Sequence, residues 1–126
     1  MGPAESKFKA TTIMRSLLLE DDRITGLISD KIFPLVAEDN TEGDFVIYRR
    51  DEYSREYDKM SISSQICRVF FNVISEDYDR SQHLAFLLDD RLSGYWDEYE
   101  LEIKLVDSEE EFEGGKYIQV LLFEIE

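Results

Sequence analysis

Residues 65–92, QICRVFFNVISEDYDRSQHLAFLLDDRL, change hydrophobic period partway along, and that change limits what the chain can fold into. Cys67, Val69, Phe71 and Val73 alternate with Arg68 and Asn72, the period of a strand with one buried face. After a break at Ser75-Glu76-Asp77, Leu84, Leu87, Leu88 and Leu92 recur at the spacing of one helix face. A helix joined this tightly to a strand folds back over the sheet it left. The rest of the chain must complete that sheet or cover it.

The flanking segments supply the pieces. Residues 1–8 read as a flexible start. Ala10, Ile13, Leu17 and Leu18 predict a helix over about 9–20, and Ile24, Leu27 and Ile28 a short one over about 22–28, with Asp21 or Asp22 as its N-cap. Lys31-Ile32-Phe33, ended by Pro34, suits an edge strand. Residues 37–43 form a polar loop. Phe45 to about Glu52 is a strand apolar on both faces at its start, hence inside the sheet. The charged stretch 51–64 is either a projecting hairpin arm or a mobile loop. Gly94 suits a helix C′ position. Tyr99, Leu101, Ile103 and Leu105 alternate inward up to Asp107, and 108–113 extend or fray that strand. Gly114-Gly115 marks a hairpin turn.

The last strand, 116–126, sets Tyr117, Leu121, Phe123 and Ile125 against Ile118, Val120 and Leu122. It wants cover on both faces, and the second cover points to a partner subunit. The expectation is one α+β domain over 9–126. Its sheet is mainly antiparallel, of about four to five strands, with helices packed on one face.

Charge narrows the function. Twenty-nine acidic residues against 14 basic ones give a formal net charge of −15. That disfavours binding to nucleic acid, whose affinity comes largely from Lys and Arg, and to an anionic membrane. It favours solubility or a basic partner. No stretch reaches the about 18 apolar residues of a membrane span, and MGPAESKFK lacks a signal-peptide core, so an intracellular soluble protein is expected.

Catalytic and metal signatures are poor. His83, the only histidine, lacks a correctly placed nucleophile, since Ser81 two residues away points elsewhere on a helix. The only cysteine, Cys67, reads as a small buried hydrophobe. A calcium loop starting at Asp39 fails at Thr41 and Gly43, and one Cys with one His does not make a zinc site. Glu102-Ile103-Lys104 matches the Glu-x-Lys strand of metal-dependent nucleases, but no partner Asp is placed upstream. No catalytic residue, metal ligand or cofactor is therefore assigned. Trp96 with Tyr95 and Tyr99 reads as an aromatic cap on the core. Arg49, Arg50 and Arg55 are the local basic cluster; one of the Arg49-Arg50 pair faces each side of the sheet, and the cluster suits neighbouring acids or an acidic face of another subunit. With Tyr53, Tyr57 and Met60 they form the candidate subunit or partner interface.

The order of these segments resembles the tail-completion, or tail-terminator, proteins of long-tailed bacteriophages and prophages. The resemblance rests on IMRSLLLEDDRITGLISDKIFP (13–34), DFVIYRRDEYS (44–54), VFFNVISEDYDRSQHLAFLLDDRLSG (69–94) and the closing hairpin 99–126. The chain departs from the pattern at Asp44, where such proteins often carry Pro, and in a longer, more charged 51–64 segment. The resemblance implies a non-catalytic structural protein of the virion tail or neck, assembled in the bacterial host cytoplasm. It implies self-association into a ring, commonly a hexamer, stacked on the tail-tube protein and facing the head-connector protein. DNA would pass through the ring without being bound specifically. A metal-dependent nuclease using Glu102 and Lys104, and an intracellular adaptor for a basic protein, are the alternatives.

Overall fold

The computed structural model describes residues 3–57 and 62–126. Four α-helices, α1 (Pro3–Phe8), α2 (Ala10–Leu19), α3 (Asp22–Ile28) and α4 (Tyr78–Leu92), accompany six strands. The strands are β1 (Ile32–Pro34), β2 (Phe45–Tyr57), β3 (Ile62–Ser75), β4 (Gly94–Trp96), β5 (Leu101–Glu113) and β6 (Lys116–Ile125). They form one sheet in the order β1-β2-β3-β6-β5-β4, antiparallel except that β1 runs parallel to β2. No described helix is long and apolar enough to cross a membrane.

The period change at 65–92 builds the centre. Cys67, Val69, Phe71 and Val73 are all fully buried on the inner face of β3. At the break, Ser75 Oγ accepts a hydrogen bond from the Asp77 N–H (3.1 Å), and Asp77 Oδ1 caps α4 by accepting from the Arg80 N–H (2.9 Å). The cap starts α4 at once, so the helix falls back onto β3 and β6. Leu84, Leu87, Leu88 and Leu92 then bury against the strand that precedes them. Asp21 caps α3 in the same way, accepting from the Arg23 N–H (2.9 Å). Helix α2 completes the layer with Ile13, Met14, Leu17 and Leu18 buried.

Several boundaries differ from expectation, each for a local reason. There are six strands rather than four to five, because β4 follows α4 directly. Ser93, with extended backbone, is the C-cap, so Gly94 stands at C′ as expected, and at φ 130° it also opens β4. Trp96 Nε1 donates to the Leu92 carbonyl (2.9 Å), satisfying a helix-end acceptor. Tyr99 lies in a 3₁₀ turn, and left-handed Glu100 (φ 54°) delays β5 to Leu101. Trp96 and Tyr99 pack against the core as the aromatic cap requires, whereas Tyr95 is exposed. In the segment read as a flexible start, residues 3–8 form α1, with Ser6 buried and the Cys67 thiol donating to the Lys7 carbonyl (3.4 Å).

Candidate assembly surfaces

The helices cover one face of the sheet, and the core cluster draws only on that face. The pairing registers place four rows on the other. Phe45, Ile74, Ile118 and Glu111 form one, and Ile47, Asn72, Val120 and Glu109 the next. Arg49, Phe70, Leu122 and Asp107 follow, then Glu52, Arg68, Glu124 and Lys104. The middle of this outer face is therefore apolar. Its β5 border is acidic and its far end is a row of alternating charges. Arg68 sits between Glu52 (3.5 Å) and Glu124 (3.4 Å) in that last row. Arg49 lies over the Phe70 ring (4.7 Å) and Lys116 over Phe45 (5.5 Å), shading the apolar centre with long side chains. Asn72 Oδ1, in the middle, is out of water and has no hydrogen-bond donor among the described residues.

The sequence-predicted interface residues divide between the two faces of β2. Arg49 is on the outer face, 3.8 Å from Asp51. Arg50 is on the inner one, where its guanidinium lies over Phe8 (4.7 Å) and Tyr53 (5.6 Å) and donates to the Phe8 carbonyl (3.2 Å). Tyr53 meets Phe8 edge-on (5.7 Å). Arg55 and Tyr57 occupy β2 positions opposite Gln65 and Ile62. Met60 lies outside the described residues. The described ones among them share one edge strand of the sheet, not a patch on one face.

Both ends of the sheet are only partly closed. β1 shields β2 over Val46–Tyr48 alone, and β4 shields β5 over Leu101–Ile103 alone. Among the described residues, the stretch from Arg49 to Tyr57 on one side and from Lys104 to Glu113 on the other have no outer strand neighbour. The β5 stretch carries Asp107, Glu109, Glu110, Glu111 and Glu113 against a single Lys104, with Phe112 and Val106 exposed among them.

The chemical candidates sit in ordinary surroundings. Cys67 is fully buried, and burial pushes its thiol up to about 11. His83 borders a shallow pocket with Leu27, Asp44, Asp79 and Arg80. Glu102 and Lys104 do share a face. Lys104 Nζ lies 3.3 Å from Glu126 and 3.5 Å from Glu102, and its bond to Glu126 and these charges raise its pKa. Among the described residues, no group of three or more His, Cys, Asp or Glu is placed to hold a metal ion. A pocket of about 580 Å³ beside β1 includes Arg15 and Lys31. Both cations are engaged by backbone, Arg15 with the Ile32 carbonyl (2.9 Å) and Lys31 with that of Glu42 (2.7 Å).

This fold has a counterpart among virion chains. A chain from the solved virion of a native gene transfer agent particle is similar over 89% of both chains, with a TM-score of 0.74 at 15% identity. No protein-family model and no curated protein matches the sequence. At this identity the shared property is the fold.

One polar cluster escaped the sequence reading. Gln119 is buried on the inner face of β6, between Tyr117 and Leu121. Its Nε2 donates to Ser81 Oγ (3.1 Å) and to Glu110 Oε2 (2.7 Å), and Tyr78 donates to Glu110 Oε1 (3.1 Å). The Gln119 and Tyr78 bonds hold the Glu110 carboxyl below its usual range. The cluster ties the edge strand β5 to α4. Its only sequence trace is a Gln on an otherwise apolar face.

Proposed function

We propose that this chain is a structural tail-completion protein of a phage or prophage, non-enzymatic, forming a ring at the head–tail junction. The observation that carries the reading is the fold shared with a virion chain over nearly the whole length, in a sequence whose segment order resembles tail-completion proteins. In this reading the ring ends growth of the tail tube and offers the head connector a docking face. The uncovered apolar sheet face meets a neighbouring virion protein, and the negative charge lets DNA traverse the ring without adhering. The partners are further copies of the chain, the tail-tube protein and the head connector, and the place of action is the neck of the particle. The arginines of β2, with Tyr53, Tyr57 and Met60, belong to the subunit interface.

Electron microscopy of particles made without this protein tests the reading. Tails of irregular length, or tails unattached to heads, are the expected result. Tails of normal length joined normally to heads would overturn it.

A further inference from the structure

At β5 the sheet ends in an open edge with two unlike faces. Beyond Ile103 the strand has no outer neighbour among the described residues, and its unpaired backbone groups are a template for another strand. We propose that this edge, residues 104–113, takes up an extended segment of another protein in which basic and apolar residues alternate. Such an edge works whether or not the chain forms a ring.

The two faces of the edge set the chemistry of that segment. On the outer face Asp107, Glu109, Glu111 and Glu113 form one row, opposite Leu122, Val120, Ile118 and Lys116 of β6. The cations at the two ends of the row are engaged elsewhere, Lys104 with Glu102 and Glu126 and Lys116 with Glu76 (3.9 Å), and none of the four carboxylates has an ion-pair partner among the described residues. Successive side chains of the row stand about 7 Å apart, the repeat of any strand laid beside them, so a cation at every second residue of the segment meets one carboxylate each. The inner face is different. Ser108, Glu110 and Phe112 lie there, and the Glu110 carboxylate is already taken by Gln119 and Tyr78. The chain runs back along β5 through α4, from Tyr78 beside Glu110 to Gly94 beside Ile103. Between helix and strand it leaves a groove of about 250 Å³, walled in part by Ala85, Phe86, Leu105 and Ser108. Phe86 and Phe112 stand exposed on this side, so the intervening residues of the segment are apolar. Main-chain bonds to an edge, with side chains read on alternate faces, are how strand addition recognises a peptide. A second copy fits poorly. Two copies joined antiparallel through β5 would set the carboxylate row against its like. β2, the other long edge strand, has Arg49 and Glu52 on the outer face rather than a row of cations. An acidic edge that only prevents aggregation would accept no strand at all.

Hydrogen exchange of the purified full chain, followed by NMR, decides between these. The probe is a peptide of alternating Lys and Val, capped at both ends and about eight residues long, enough to span the open stretch. At saturation it should slow exchange roughly tenfold or more at alternate amides of 106–113, those that do not donate to β6, and the effect should fade with added salt. A peptide of the same residues with its lysines in one block should protect them far less, because it cannot hold its cations on one face. No slowing by the alternating peptide, or equal slowing by both peptides, would overturn the proposal. Glu109→Lys with Glu111→Lys should abolish the protection while circular dichroism stays unchanged. Phe112→Ser leaves the carboxylate row in place and should weaken the protection severalfold. Protection undiminished in both variants would overturn the proposal. Amides of 106–113 that are protected without peptide and released on dilution would give the edge to a second copy, and so overturn it too.

Discussion

Phe71 shows how much one residue of the central strand carries. Its ring stacks on Tyr48 (5.4 Å) and meets Phe123 edge-on (5.9 Å), so it joins β2, β3 and β6 beneath the helices. Phe71→Ala removes both contacts and leaves a cavity the packed neighbours can only partly fill, so unfolding in urea should show a loss of about 3–5 kcal/mol. Phe71→Asp adds an unpaired charge on the buried face and should leave no folded protein. A soluble, cooperatively unfolding Phe71→Asp protein would mean that the faces of β3 are reversed. Cys67 and His83 are the residues chemistry would choose first in this region. Cys67 is sealed under α1, and its role is to fill space.

At the scale of elements, the turn into α4 depends on one carboxylate. Asp77 caps the helix through the Arg80 N–H, so Asp77→Ala leaves that donor without a side-chain acceptor and should cost about 1 kcal/mol, read as a lowered urea midpoint. Asp77→Asn keeps the acceptor and should recover most of the loss; equal loss in both variants would assign the effect to charge. Elements of this kind were legible in the sequence, because alternation, helix spacing and a cap residue are local signals. The helices at 10–19 and 22–28, the strand into α4 and the closing hairpin all announce themselves this way. Nonlocal features did not. A register shift between Arg50 and Glu52 puts the distal half of β2 out of phase with its start, which hid the continuation to Tyr57. A similar shift between Leu105 and Asp107 blurs β5 where its acidic half begins. β4 is too short to show a period. The three arginines and Tyr53 stood out by composition. That they lie on an open edge, with an acidic edge at the opposite side of the sheet, follows from strand order, which no local pattern encodes.

Across the whole molecule, the outer sheet face and the net charge give separable consequences. Val120 lies in the middle of that face and outside the core cluster. Val120→Glu should therefore change the melting temperature by only a few degrees, with about 1 kcal/mol corresponding to roughly 3–6 °C. It should nonetheless prevent incorporation into particles. Equal loss of folding and incorporation would place Val120 in the monomer's own core.

Acid stability follows from the charges. With a net charge of −15, most carboxylates repel one another near neutral pH. Raising the ionic strength screens that repulsion, so the melting temperature at pH 7 should rise with added salt. A few carboxylates set the acid response. The Arg23 guanidinium, hydrogen-bonded to Asp21, holds that carboxyl below its usual range, as Gln119 and Tyr78 do for Glu110. A carboxylate whose folded pKa is depressed contributes stability above its unfolded value, about 4, and loses it as pH falls through the folded value. The melting temperature should therefore drop as pH falls below about 4. Asp21→Asn keeps an N-cap acceptor but cannot titrate, so it should lower stability at pH 7 and flatten the acid limb. A melting temperature that does not fall below about pH 4 would show that these paired carboxylates do not stabilise the fold. An acid limb equally steep in Asp21→Asn would remove Asp21 from that account.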